Sequence, residues 1–189
     1  PEAAEAIGAL FRKAPMLARF TINKTTGIDF ETLVSAMPEE LALHTVSLHS
    51  CDIRADRGCA AKFVMLLQRT CRLTSLTLYQ NTAMGAAGLN VIANKLSGSG
   101  LIYLELEHCG LRGGEGAQSV VAALQKLPRL EILDLSFNHL DFEVIAEKSA
   151  PHAALRCLRA GSCGLWGPKS GRALAALLRK LEKLEVLDM

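Results

Sequence analysis

The feature that most constrains this chain is a repeat. The pattern Leu-x-x-Leu-x-Leu-x-x-(Asn or Cys)-x-Leu recurs along its 189 residues. Leu43, Val46, Leu48, Cys51 and Ile53 fit it, as do Leu73, Leu76, Leu78, Asn81 and Ala83. Leu101, Leu104, Leu106, Cys109 and Leu111 make a third copy, and Leu130, Leu133, Leu135, Asn138 and Leu140 a fourth. Leu155, Leu158, Ala160, Cys163 and Leu165 make a fifth. Another opens at Leu184 and Leu187, and a degenerate copy is expected at Leu17, Phe20, Ile22 and Thr25. The first Leu positions are 26, 30, 28, 29, 25 and 29 residues apart. One match would mean little. Five in succession at a near-constant period set the organisation of the chain.

Each unit has two halves. The Leu-x-Leu part alternates apolar and polar residues, the period of a strand. The second half carries a Gly followed by apolar residues at helical spacing. Gly58 leads Phe63, Leu66 and Leu67, and Gly88 leads Ile92 and Leu96. Gly116 leads Val120, Ala123, Leu124 and Leu127, and Gly171 leads Leu174, Leu177, Leu178 and Leu181. A helix is already under way from Ala3 to Lys13, and Asp141 to Ser149 is the shortest candidate, ended by Pro151. Neighbouring strands sit about 4.8 Å apart, whereas packed helices need about 8–10 Å. Strands on one side and helices on the other therefore predict a curved α/β solenoid. Parallel strands line its concave face and helices its convex face. No unit buries its own Leu face, so neighbours must. We read residues 1–189 as a single domain of about six repeats of 25–30 residues. The chain opens at Pro1 and stops within a repeat, which reads as a piece of a longer polypeptide.

These residues resemble the leucine-rich repeat family. The segment Gly110-Leu111-Arg112-Gly113-Gly114-Glu115-Gly116-Ala117, followed by Val120, Val121, Ala123 and Leu124, is similar to the turn and helix of its ribonuclease-inhibitor-like subclass. That subclass includes ribonuclease inhibitor, the Ran GTPase-activating protein and the sensor domains of NOD-like receptors. The resemblance spans the chain from about Leu17. It implies protein–protein recognition, usually inside the cell, and transfers no functional residue set.

Composition narrows the function classes. Half of the residues are hydrophobic, and the net charge is +2. That is too apolar and too balanced for a disordered chain, and it lacks the positive excess of a nucleic-acid binder. No uninterrupted apolar run is long enough for a membrane span. Cys51, Cys109 and Cys163 occupy one position in alternate units, with Asn81 and Asn138 between them. Two strand steps are about 10 Å, beyond the roughly 7 Å reach of a disulfide. The same separation denies them a shared zinc. Cys is then a small substitute for Asn, satisfying backbone groups of the loop. Cys59, Cys71 and Cys157 have no recurrent partner. Reduced thiols and an intracellular, cytoplasmic setting follow as expectations, and they make the sequon Asn23-Lys24-Thr25 a chance match.

The other candidate chemistries are weak. Gly161 to Ser170 is Gly-rich and ends in Lys169-Ser170, but Pro168 breaks the contiguous Gly-Lys-Ser that a phosphate loop needs. His44, His49, His108, His139 and His152 include no pair at metal-ligand spacing and read as solvated or rim residues. Glu105, Glu107 and Asp134 share an open face with no apolar pocket to raise one pKa, so a glycosidase-type pair is not expected.

Strand alternation sends the x positions outward. These include Tyr79, Tyr103, Glu105, Glu107 and Asp134, with Phe137 just past its strand. Aromatic rings beside charge are the composition of an interface centre. With no basic neighbour foreseen there, the face is expected to draw a protein partner with a basic surface. The helix side is basic at Arg172, Arg179, Lys180 and Lys183, a run that is usually only solvated. The expectation is therefore a non-catalytic protein-binding scaffold, with no cofactor, no metal, no nucleic acid and no small-molecule substrate. The rival readings are a structural subunit of a large complex and, by analogy alone, a GTPase-activating module. Neither Arg19 nor Arg159 is marked as a catalytic finger.

Overall fold

The computed structural model describes residues 2–55 and 58–189. Along the chain run α1 (Glu2–Lys13), β1 (Arg19–Asn23), α2 (Phe30–Ala36), β2 (Thr45–His49) and α3 (Cys59–Leu67). Then come β3 (Ser75–Thr77), α4 (Gly85–Lys95), β4 (Tyr103–Glu105), α5 (Gly113–Lys126) and β5 (Ile132–Asp134). The short β6 (His139–Leu140), α6 (Phe142–Lys148), β7 (Cys157–Arg159), α7 (Gly167–Leu178) and β8 (Val186–Asp188) complete the order. The fold is α/β.

Seven of these strands form one sheet, parallel at every step, in the order β1-β2-β3-β4-β5-β7-β8. The expectation was about six. The additional strand is β1, built by the degenerate copy and paired with β2 over all five residues. The register never slips. Phe20, Val46, Leu76, Leu104, Leu133, Leu158 and Leu187 form one row across the sheet. Five of them, Val46 through Leu158, are at most 3% exposed. They pack with Leu33, Phe63, Ile92 and Leu124 of the helices in one continuous core. Positions on either side of that row face the other way, so the helices cover one face of the sheet and leave the other open.

The repeat assigned Ala83 to the core, but it is exposed. Met84, fully buried, fills the place instead. Helix α2 was missed in the sequence. Its signal was Asp29 ahead of Phe30, Leu33 and Val34. The Asp29 carboxylate accepts from the Thr32 backbone N–H at 3.1 Å and from its hydroxyl at 2.7 Å, as an N-cap does. Asp141 caps α6 in the same way.

Helices α2 and α6 are the shortest, at seven residues each. Both have their carbonyl ends capped from the next repeat. Arg69 donates to the Met37 and Pro38 carbonyls at 2.7 and 2.9 Å. Lys180 Nζ donates to the Ala146 and Ser149 carbonyls at 2.6 and 2.7 Å. A cation at these otherwise unpaired carbonyls also meets the negative end of the helix dipole.

The strand ends show a second regularity. Lys24, Ser50, Gln80, His108, Phe137 and Ser162 all have φ between 51 and 56°. From each of the first five, the backbone N–H donates to a carbonyl of the next repeat: His49, Tyr79, Glu107, Ser136 and Gly161 in turn. The left-handed bend lets the ladder continue past the strands and turns the chain toward the Asn or Cys position.

That position is a backbone-satisfying post. Asn138 Oδ1 accepts from the Cys109 and Leu111 N–H groups at 3.1 and 3.0 Å, while Nδ2 donates to the Leu106 and Leu135 carbonyls, both at 2.8 Å. Asn81 repeats this with Cys51, Ile53, Leu48 and Leu78. In the alternate units the thiols of Cys51, Cys109 and Cys163 reach the Ile22, Leu78 and Leu135 carbonyls at 3.4, 2.8 and 2.9 Å. All six cysteines are free.

Candidate functional site

Three rows of side chains cross the open face of the sheet. The first holds Arg19, Thr45, Ser75, Tyr103, Ile132, Cys157 and Val186; the second Thr21, Ser47, Thr77, Glu105, Asp134, Arg159 and Asp188. The third runs through Asn23, His49, Tyr79, Glu107, Ser136 and Gly161 at the carboxyl ends of the strands.

The second row carries the polar chemistry. Tyr103 donates its hydroxyl proton to Glu105 Oε2 at 2.8 Å, and Thr77 Oγ1 donates to the same oxygen at 3.3 Å. Burial, together with the hydrogen bond to Glu105, pushes the Tyr103 phenol up to about 12. Asp134 is buried, at 6% exposed, and its Oδ1 accepts from the Ser136 N–H at 2.9 Å. Its Oδ2 lies 3.8 Å from Arg159 Nη1.

That ion pair corrects the sequence reading. Asp134 has a basic neighbour on the adjacent strand, Arg159, directly opposite in register. Its charge is compensated and largely out of reach of a partner. Glu105 and Glu107 remain half-buried, and among the described residues neither is paired with a Lys or Arg. Partial burial first, then the neighbouring Asp134 and Glu105 charges, holds the Glu107 carboxyl above its usual range.

The two tyrosines do not meet. Tyr103 is in register with Ser75 of β3, four residues before Tyr79, which lies just past that strand, so they are separated by about 13 Å along the strand direction. Tyr79 packs its ring against His49 with centroids 5.8 Å apart, and Phe137 packs against His108 at 6.5 Å. The site is thus a belt of Thr77, Tyr103, Glu105, Asp134 and Arg159, with Tyr79, Glu107 and Phe137 along the carboxyl-end rim. Phe137 is 54% exposed and is the only apolar residue among the six left-handed positions at the strand ends. Cys157, at an x position of its repeat, is buried on this face at 7%.

Not all five histidines are rim residues. His152 is 8% exposed, with Nε2 3.1 Å from the Leu127 carbonyl. The Gly161–Ser170 segment forms the turn before α7, which opens with Gly167 and Pro168 and leaves Lys169 exposed. Among the described residues no cluster of His, Cys, Asp or Glu is placed to hold a metal ion, and no helix is long and apolar enough to cross a membrane.

The chain matches no protein-family model, and none of the curated proteins is similar to it.

Proposed function

We propose that this chain is a leucine-rich repeat solenoid of the ribonuclease-inhibitor-like kind, and that it is a non-catalytic scaffold binding a protein partner across its open, concave sheet face. The single observation that carries this reading is the unbroken row register from β1 to β8, which aligns rows of side chains across the face of the sheet that the helices leave open. A surface built by repetition, with rings beside charge, suits recognition of another polypeptide. The partner carries Lys or Arg for Glu105 and Glu107. A cation arriving at Glu107 relieves the crowding of negative charge there. Asp134 and Arg159 form a neutral floor rather than part of the attraction. The setting is intracellular, as the three thiols of the repeated position suit reducing conditions.

The test is affinity capture with the wild-type chain, followed by Kd measurement on variants of the two faces. Substitution at Glu107 weakens binding and its salt dependence, whereas substitution of Arg172 on the helix side does not. The opposite ranking overturns the reading.

A further inference from the structure

The carboxyl-end rim of the sheet holds one residue that the turn around it does not explain. Strand ends bend through the same left-handed turn at Lys24, Ser50, Gln80, His108, Phe137 and Ser162, and all but Phe137 are polar or charged. The Phe137 N–H donates to the Gly161 carbonyl just as its counterparts bond the next repeat, so the turn itself does not call for a ring. The chain has six phenylalanines, and the other five, Phe11, Phe20, Phe30, Phe63 and Phe142, are at most 8% exposed. Phe137 alone stays out of the core. A bulky side chain kept where the backbone disfavours it, and over half exposed, is an outlier of the kind that functional surfaces retain.

Its surroundings define what can meet it. The register of β4 and β5 continues past the strands, with the His108 N–H donating to the Ser136 carbonyl. Glu107 therefore sits beside Ser136, and His108 beside Phe137. The His108 and Phe137 rings pack edge to face with centroids 6.5 Å apart. Burial and the Asp134 and Glu105 charges raise the Glu107 pKa, while the nearby His108 acts to lower it. Glu107, His108 and Phe137 thus form one continuous patch. At one end is an exposed ring. At the other is a carboxylate that is paired with no Lys or Arg among the described residues.

We propose that Phe137 is the apolar anchor of the partner interface, and that Glu107 on the same patch takes an arginine of the partner polypeptide. This rests on the sheet-face reading above and extends that interface from the belt onto the rim. Arginine suits the patch better than lysine. Its planar guanidinium pairs with a carboxylate through two N–H groups and also stacks on aromatic rings, whereas an ammonium is a strongly hydrated point charge. The partner segment carries that arginine next to an apolar side chain, which covers the exposed Phe137 ring. An acidic segment would be repelled by Glu105 and Glu107.

The probe is a random peptide library displayed on phage and selected on the full chain. The peptides recovered are expected to carry Arg next to an apolar residue. The strongest is then synthesised and its Kd measured on the wild type and on single variants. Phe137→Asn and Glu107→Gln should each weaken it by about tenfold, while Phe137→Tyr, which keeps the ring, should stay within about threefold. Exchanging the peptide's Arg for Lys should weaken it by about fivefold. The thermal midpoint of Phe137→Asn should be no lower than that of the wild type, which separates lost binding from lost folding. A peptide weakened by Glu105→Gln but not by Phe137→Asn would overturn the rim anchor and leave the sheet-face reading standing. A peptide indifferent to all of these substitutions would contradict both. Recovery of no peptide, recovery of acidic peptides, or equal affinity for the Arg and Lys forms would each overturn the proposal.

Discussion

The Tyr103 hydroxyl and the Glu105 carboxylate, two residues apart on β4, are joined by a 2.8 Å hydrogen bond on the open face of the sheet. The bond exists because residues at i and i+2 of a strand share a face. It ties the first row of outward side chains to the second.

This bond sets a pH dependence. The folded Tyr103 phenol is raised to about 12 from an ordinary value of 10. A raised acid favours the protonated native form, so its contribution is fully present below pH 10 and is lost as pH rises toward 12. Ultraviolet titration of the tyrosines should show a component near pH 12 that disappears in Tyr103→Phe. A profile unchanged by that substitution would contradict the assignment.

Asn138 holds five backbone groups, so its loss should be costly. Asn138→Ala is expected to destabilise the fold by about 3–5 kcal/mol, because buried N–H and C=O groups from two repeats lose their partners. Asn138→Cys should cost less, since Cys109 and Cys163 do similar work with a thiol. Urea denaturation of the three proteins checks the order. Equal costs for Ala and Cys would refute the equivalence of the two residue types.

The Leu row gives a graded series. Leu104→Ala and Leu133→Ala should each cost about 2–5 kcal/mol, because both side chains are nearly inaccessible with a strand on either side. Leu187, 37% exposed on β8, should cost less. Chemical denaturation that returned equal losses at all three would count against stacking as the source of stability.

Phe137 is expected to move stability the other way. Its φ of 56° is unfavourable for a bulky side chain, by about 1–2 kcal/mol, and over half of the residue is exposed. Phe137→Asn should therefore raise stability by about 0.5–1 kcal/mol, as Asn tolerates this backbone region. A loss of stability would show that the ring contact with His108 outweighs the strain.

Thiol labelling distinguishes the cysteines. Burial pushes the Cys109 thiol up to about 12 and the Cys163 thiol up to about 11, so both should resist alkylation until the chain unfolds. Exposed Cys71 should react first. Mass spectrometry after denaturing alkylation without reductant should count six adducts. Any native disulfide would lower that number.

The alternation of Leu positions was enough to place the strands, the buried row and the open face, because each depends on a local period. What escaped the sequence depends on long side chains reaching between repeats. Lys180 read as a surface cation and Arg69 carried no signal, yet each spans a repeat boundary to cap the preceding short helix. Lys180 is for that reason unsuitable as a surface charge reversal. Alternation placed Asp134 and Arg159 on the same face. Their pairing follows only once β5 and β7 are set side by side across the 25-residue repeat. Alternation grouped the two tyrosines together, but their offset of four residues keeps them apart. His152, read as a solvated or rim residue, is instead buried with its ring nitrogen against the Leu127 carbonyl of the preceding repeat, a packing consequence that a residue-by-residue pattern does not carry.

The proposed binding face is tested most directly by comparing Kd for the captured partner across two double variants, with folding checked by circular dichroism. Glu105→Gln with Glu107→Lys alters the sheet face, while Arg172→Glu with Arg179→Glu alters exposed residues on the helix side. The account expects the first pair to weaken binding by about tenfold or more and to flatten its salt dependence, with the second pair within about twofold of wild type. Unchanged affinity in the first pair, with binding abolished in the second, would contradict it.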